Sequence, residues 1–214
     1  MYGAGELDDM NGRWTSTVSN LPDQNSDQEN IESFHNAINT VRVSYLNTLT
    51  SLEGPEKIII DKMPLNFLWI GFILCAIPEA RIININRNAT ATCWSIYKQY
   101  FSSQGNSFAY NLGDIVVFYK LYLDLMSFWR QQCPNRIYDI CYEVLTENQK
   151  EETSRLLAFC DLEWEQQCVD FHRTKRIVKT ASAAQVRTKM YQGSSEEWRK
   201  YEKHLQPLID ALGH

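Results

Sequence analysis

The apolar positions Ile31, Phe34, Ile38, Val41, Tyr45, Leu49 and Leu52 recur at spacings of three and four, which predicts one face of an amphipathic helix. Gly54-Pro55 ends it. Lys57-Ile-Ile-Ile-Asp61 is a short β-branched run and reads as a buried strand. Pro64 suits the first turn of a helix over Asn66–Ile77, stopped by Pro78. Arg81-Ile-Ile-Asn-Ile-Asn86 reads as a second strand, and Asn88 caps a helix that runs through Phe101. A long helix is expected from about Leu112 to Gln132, closed by Pro134, and a third strand over Arg136–Tyr142. Helices follow over Lys150–Cys160 and Glu165–His172, and a last one, opened by a Ser194/Glu197 capping box, runs to about Leu212. The polar stretch 19–30 reads as a surface loop. Strands alternating with helices point to an α/β fold with a parallel sheet. Three strands are few for this much helix, so a further strand is expected to be missing.

Composition narrows the class. A chain of 214 residues, 44% hydrophobic and 12% aromatic, is globular and fits a single domain, 1–214. Its net charge of −5 argues against partners such as nucleic acid or a membrane surface. The charge is uneven. Residues 1–32 carry seven acids against Arg13 alone. Between Asp170 and Met190 the balance reverses, with Arg173, Lys175, Arg176, Lys179, Arg187 and Lys189 against one acid, either a solvated face or the lining of an anion pocket. The six cysteines show no C-x-x-C spacing and no nearby histidine pair, so no metal is expected. Most lie in apolar runs, as buried reduced thiols would, which fits a soluble, cytoplasmic protein. The longest apolar run, Phe67–Ile77, is too short to cross a bilayer, and the acidic start does not read as a secretory signal.

The segment Ile82–Phe101 carries the candidate chemistry. A strand ends, Arg87 follows at its carboxyl tip, and a helix begins at Asn88. Ligands of open α/β sheets gather at that edge, and the N–H groups and dipole of the helix favour an anion there. Arg87 can hold a phosphate through two parallel hydrogen bonds, and Ser95, two turns on, can add a hydroxyl. The competing reading is an arginine paired with a carboxylate and a serine facing solvent. Lys62, after one strand and before a helix, is expected at the same edge of the sheet.

The run from Asp61 to Phe101, DKMPLNFLWIGFILCAIPEARIININRNATATCWSIYKQYF, resembles the cytosolic sulfotransferases and, more closely, the bacterial and tyrosylprotein sulfotransferases. Their 3′-phosphate motif has an arginine and, eight positions on, a serine; Arg87 and Ser95 occupy those places. Tyr142-Glu143, Leu162 with Trp164, then TASAAQVRTKMY and WRKYEKHL match in the same order. The chain departs from the pattern at Asn88-Ala89, where Asp-Pro is common, at Gln99, where a third basic contact is placed, and at Arg187-Thr188-Lys189.

The resemblance implies a P-loop-like parallel sheet flanked by helices, and transfer of a sulfuryl group from 3′-phosphoadenosine 5′-phosphosulfate to a hydroxyl or amine, without a metal. It places Glu6 of the YGAGEL turn as the base and Lys62 on the sulfuryl oxygens. Tyr142, Ser182, Gln185 and Arg187 fall against the nucleotide, leaving adenosine 3′,5′-bisphosphate as product. The acceptor class stays open between peptide tyrosine, carbohydrate and small alcohol, and so does a homodimer.

The same family has a Pro-Arg-Ser-Gly-Thr-Thr loop around the 5′-phosphosulfate, and none of the nine glycines heads such a sequence. The expectation is that the chain begins one strand, one loop and one helix late and turns over little or not at all. A nucleotide-binding or scaffolding remnant of the same fold is the alternative. A phosphoryl-transfer enzyme is weakened by the lack of a G-x-x-x-x-G-K-[ST] motif.

Overall fold

The structure, a computed structural model, describes residues 2–5, 7, 12, 15–16, 19, 27–51, 58–101, 106–173, 188 and 190–213. It is a helix-rich α/β arrangement with short parallel strands, divided into two compact units, Met1–Ala80 and Arg81–His214. Among the described residues no helix is long and apolar enough to cross a membrane.

In the first unit, strand β1 (Tyr2–Gly5) pairs in parallel with β2 (Ile59–Asp61). Residues 2–5, expected as part of a glycine-rich turn, are extended. The irregular register between Gly3 and Gly5 shows how two glycines fit a short strand interrupted at its end. Helix α1 (Asp27–Ser51) starts earlier than its apolar stripe, at residues assigned above to a loop. Its periodic positions Ile38, Val41 and Tyr45 are buried as the spacing requires. The predicted helix over 66–77 divides into a 3₁₀ segment, Pro64–Trp69, and helix α2 (Ile70–Ala76). Helices α1 and α2 meet through Phe34 and Phe72, whose rings lie 6.1 Å apart. Arg42 ties them together by donating to the Ala76 carbonyl at 2.7 Å and to Glu79. At the end of β2, Asp61 accepts from the Tyr45 hydroxyl at 2.9 Å and the Leu7 N–H at 3.3 Å. Burial pushes its carboxyl above the ordinary value, against the opposing pull of those bonds and one from Asn66.

In the second unit, β3 (Ile82–Asn86) pairs in parallel with β4 (Ile137–Cys141), in register from Ile82↔Ile137 to Asn86↔Cys141. Helix α3 (Ala89–Tyr97) follows β3, capped as predicted by the Asn88 side chain, which accepts from the Ala91 N–H at 2.9 Å. Helix α4 (Leu112–Gln132) is likewise capped by Asn111. Helices α5 (Tyr142–Glu147) and α6 (Gln149–Phe159) come after β4, and α7 (Glu202–Leu212) ends the chain with Gly213 in the left-handed conformation at φ 80°. The helix expected over 165–172 is reduced to two 3₁₀ turns, and the last helix begins with a 3₁₀ segment at Glu197. The core of this unit joins α3, α4 and α7 through Ala91, Cys93, Ile115, Val116, Trp198, Leu205 and Leu208.

The β3–β4 pair inverts the usual disposition of polarity. Asn84 and Asn86 face α4, while Ile83 and Ile85 on the opposite face are 40% and 59% exposed. The amide face is satisfied by a network. Tyr122 shares its one proton between the Asn84 and Asn86 amide oxygens at 3.0 Å and 3.1 Å, Asn84 donates to Asp139 at 2.7 Å, and Arg130 grips the same carboxylate through Nε at 2.8 Å and Nη2 at 2.7 Å. The Arg130 hydrogen bonds hold the Asp139 carboxyl below the usual range, helped by Asn84 and Asn86 and opposed by burial.

Leu208→Ala should cost about 2–5 kcal/mol in unfolding free energy, because its side chain is fully enclosed. Leu121→Ala, at a position 61% exposed, should cost less than about 0.5 kcal/mol, both read from urea midpoints. Comparable losses would show that the α3–α4–α7 cluster is not the core. Since the folded pKa of Asp139 is depressed, its network contributes fully above the unfolded carboxyl range, about pH 4, and is lost as pH falls through the lower folded value. Asp139→Asn should flatten the acid limb of a urea-midpoint profile; an unchanged acid limb would show that the network adds nothing.

Candidate functional site

Two strand ends and a distant turn converge in the second unit. β3 delivers Arg87 and Asn88; β4 delivers Cys141, Tyr142 and Glu143; the turn before the 3₁₀ segment at Glu197 delivers Ser194 and Ser195. The carboxyl ends of both parallel strands lie here, as expected for a ligand edge.

Among the described residues Arg87 pairs with no carboxylate. Its Nε donates to the Ser195 hydroxyl at 3.1 Å, its Nη2 donates to the Ser194 carbonyl, and its guanidinium carbon sits 5.3 Å from the Tyr142 ring centroid. Ser195, only 5% exposed, donates its own proton to Glu143, and the Ser194 hydroxyl donates to the Tyr142 hydroxyl at 3.1 Å. The same Glu143 oxygen accepts the Asn88 N–H at 3.0 Å, and the other faces the Cys141 thiol at 3.4 Å. Burial works against the charged form of Glu143. It is outweighed by the hydrogen bonds from Ser195, the Asn88 and Glu143 N–H groups and Cys141, so the carboxyl is held below its ordinary range.

The donors of this corner can be accounted for one by one. Nε and Nη2 form the lateral edge of the Arg87 guanidinium, and that edge is committed to the 194–195 turn. The Nη1 side carries no partner among the described residues, so Arg87 can keep the turn and still present its other fork to an anion. The start of α3 was expected to offer its N–H groups freely, and in part it does not. Asn88 N–H is taken by Glu143 and Ala91 N–H by the Asn88 side chain, leaving those of Ala89 and Thr90 without a partner among the described residues.

The predicted site residues divide accordingly. Arg87 and Tyr142 are brought together. Ser95 is half-buried two turns along α3, on the side of Ala91 and Thr92, and no hydrogen bond joins it to Arg87. Lys62 is exposed just after β2 in the first unit. Glu6, Ser182, Gln185 and Arg187 lie outside the described residues. The sequence reading missed the parts played by Glu143, Ser194 and Ser195. Ser194 with Glu197 has the spacing of a capping box, yet the 3₁₀ segment has Glu196 at its N-cap without a side-chain cap, and the Ser194 hydroxyl is spent on Tyr142. All six cysteines are unpaired, but only Cys93 is buried; Cys75 and Cys141 are exposed, because an apolar run on a short helix or an edge strand presents one side to water.

The chain matches the model of the sulfotransferase family over residues 4–166. It is 38% identical over 170 residues to an uncharacterized protein of Aquifex aeolicus (strain VF5), a match that covers 78% of this chain and 22% of that one. The chain thus spans about a fifth of the length of that relative. Among solved structures it is similar to the sulfotransferase domain from the curacin biosynthetic pathway, with a TM-score of 0.51 and 14% identity, over 96% of this chain and 78% of that domain. That likeness is one of fold.

Iodoacetamide at mildly alkaline pH should modify Cys141 in the folded protein. Cys93, whose thiol burial pushes up to about 12, should stay unmodified until denaturant is added, as read by peptide mass. Early labelling of Cys93 would contradict the packing of α3 against α4 and α7.

Proposed function

This chain belongs to the sulfotransferase family, and from that premise we propose that it takes 3′-phosphoadenosine 5′-phosphosulfate and holds the donor's 3′-phosphate at Arg87. The donor supplies the sulfuryl group, which passes in line to a hydroxyl or amine of the acceptor. The observation that carries the reading is the divided guanidinium of Arg87. One edge is pinned to Ser194 and Ser195, and Nη1 keeps no partner among the described residues, on the residue that follows β3 and precedes the Asn88 cap of α3. A planar fork and helix N–H groups suit a phosphate monoester better than a carboxylate or a neutral ligand. Tyr142 offers a ring face and holds Arg87 from below, so the cation stays in place when the ligand leaves.

The remaining roles follow the resemblance. Ser95 contributes a hydroxyl to the same phosphate, and Ser182, Gln185 and Arg187 close over the nucleotide. Lys62 places a point charge where negative charge builds on the sulfuryl oxygens, and Glu6 takes the acceptor proton. The acceptor is a hydroxyl or amine on a peptide tyrosine, a carbohydrate or a small alcohol, and two copies of the chain act as a homodimer.

The test compares thermal stabilisation by adenosine 3′,5′-bisphosphate and by ATP. Ligand at about 100 times its dissociation constant adds roughly 2.7 kcal/mol to the folded state. The bisphosphate should shift the transition well beyond ATP, and Arg87→Ala should remove most of the shift. An equal response to ATP, or an undiminished shift in Arg87→Ala, would remove the reading. Binding without sulfuryl transfer to any acceptor would favour a nucleotide-binding role for this chain.

A further inference from the structure

Glu143 stands at a place where an acid needs a reason. It lies next to the arginine that is to receive an anion, and a carboxylate there repels that anion unless it does something else. Its hydrogen bonds say what it does. One oxygen accepts both the Ser195 hydroxyl and the Asn88 N–H, so it joins the end of β4 to the start of α3 and to a turn more than fifty residues later.

The polarity of the chain of bonds follows from that. With its proton directed to Glu143, the Ser195 hydroxyl has only lone pairs left for Arg87, and it accepts the Nε–H at 3.1 Å. The Ser194 carbonyl, one residue earlier in the same turn, takes the Nη2–H. Two acceptors on one rigid turn orient a planar guanidinium far better than one, because they fix both its position and its plane. The Ser194 hydroxyl anchors the turn from its other side on Tyr142, the ring on which Arg87 lies.

We propose that Glu143 is a positioning residue for anion binding: through Ser195 it sets the plane of the Arg87 guanidinium, so that the lateral edge is held by the turn and the Nη1 fork faces the 3′-phosphate. The inference rests on the reading of Arg87 as the 3′-phosphate contact. Glu143 touches no substrate in this account and acts only through Arg87 and the start of α3. Its charge is offset in part by the dipoles of the Ser195 hydroxyl, the Asn88 N–H and the Cys141 thiol that donate to it.

The experiment is a double-mutant cycle read by calorimetric titration of the full chain with adenosine 3′,5′-bisphosphate and, separately, adenosine 5′-phosphate. Glu143→Ala should weaken the bisphosphate about tenfold and leave the 5′-phosphate unchanged within about twofold, because only the former reaches Arg87. In an Arg87→Ala background the same substitution should change neither. Glu143→Gln keeps an acceptor oxygen for Ser195 and Asn88, so it should show an intermediate loss. It serves as the readout if the alanine variant does not fold, which circular dichroism decides.

Equal weakening of both nucleotides, or an undiminished effect in Arg87→Ala, would make Glu143 a general stabiliser and overturn the inference alone. So would a folded Glu143→Gln or Glu143→Ala with unaltered discrimination. A wild-type protein that does not distinguish the two nucleotides would overturn the 3′-phosphate reading and the inference with it.

Discussion

A single hydroxyl organises the candidate site. Ser195 receives the Nε–H of Arg87 and gives its proton to Glu143, so one side chain joins residues separated by 108 and by 52 positions in the chain. Because the group is buried, each of its bonds must be made; an unmet donor or acceptor there costs about 1–3 kcal/mol, a large share of ordinary domain stability. The orientation of Arg87, the start of α3 and the course of the chain before α7 are therefore fixed together. The turn at Ser194 and Ser195 is held at the sheet edge by these hydrogen bonds.

Much of the scaffold could be read from periodicity. The stripe of α1, the strands around Ile59–Asp61, Ile82–Asn86 and Ile137–Cys141, the Asn88 cap and the extent of α4 all follow from spacing, β-branching and capping residues. Residues 2–5 were hidden by two glycines, since propensity gives no credit for pairing with a strand more than fifty residues away. The segments at 166–173 and 197–201 carry helical spacing but close only 3₁₀ turns, and spacing alone does not distinguish the two.

The site was legible in part. Arg87 and Tyr142 stand out because each follows a strand directly, which is a local signal. Glu143 and Ser195 do not, because what makes them matter is a meeting of distant segments, and Ser194 was disguised by a capping-box spacing that the backbone does not use. Local rules of this kind tell which groups have donors and acceptors to offer. Only the tertiary arrangement tells which of several satisfying partners each group has taken.

The amide side of β3 carries a consequence of its own. A parallel strand can slide along its neighbour by steps, and in most sheets the buried aliphatic side penalises the slip. Here Asn84, Asn86 and Asp139 mesh with Tyr122 and Arg130, so a displaced register would set isoleucines against a phenol and a guanidinium and strand the amides in water. Complementarity of donors and acceptors thus performs the task of a zipper. The outward positions 83 and 85 make no bond in this network, whereas an exchange at 84 or 86 would take members out of it close to the two strand tips that carry Arg87 and Glu143.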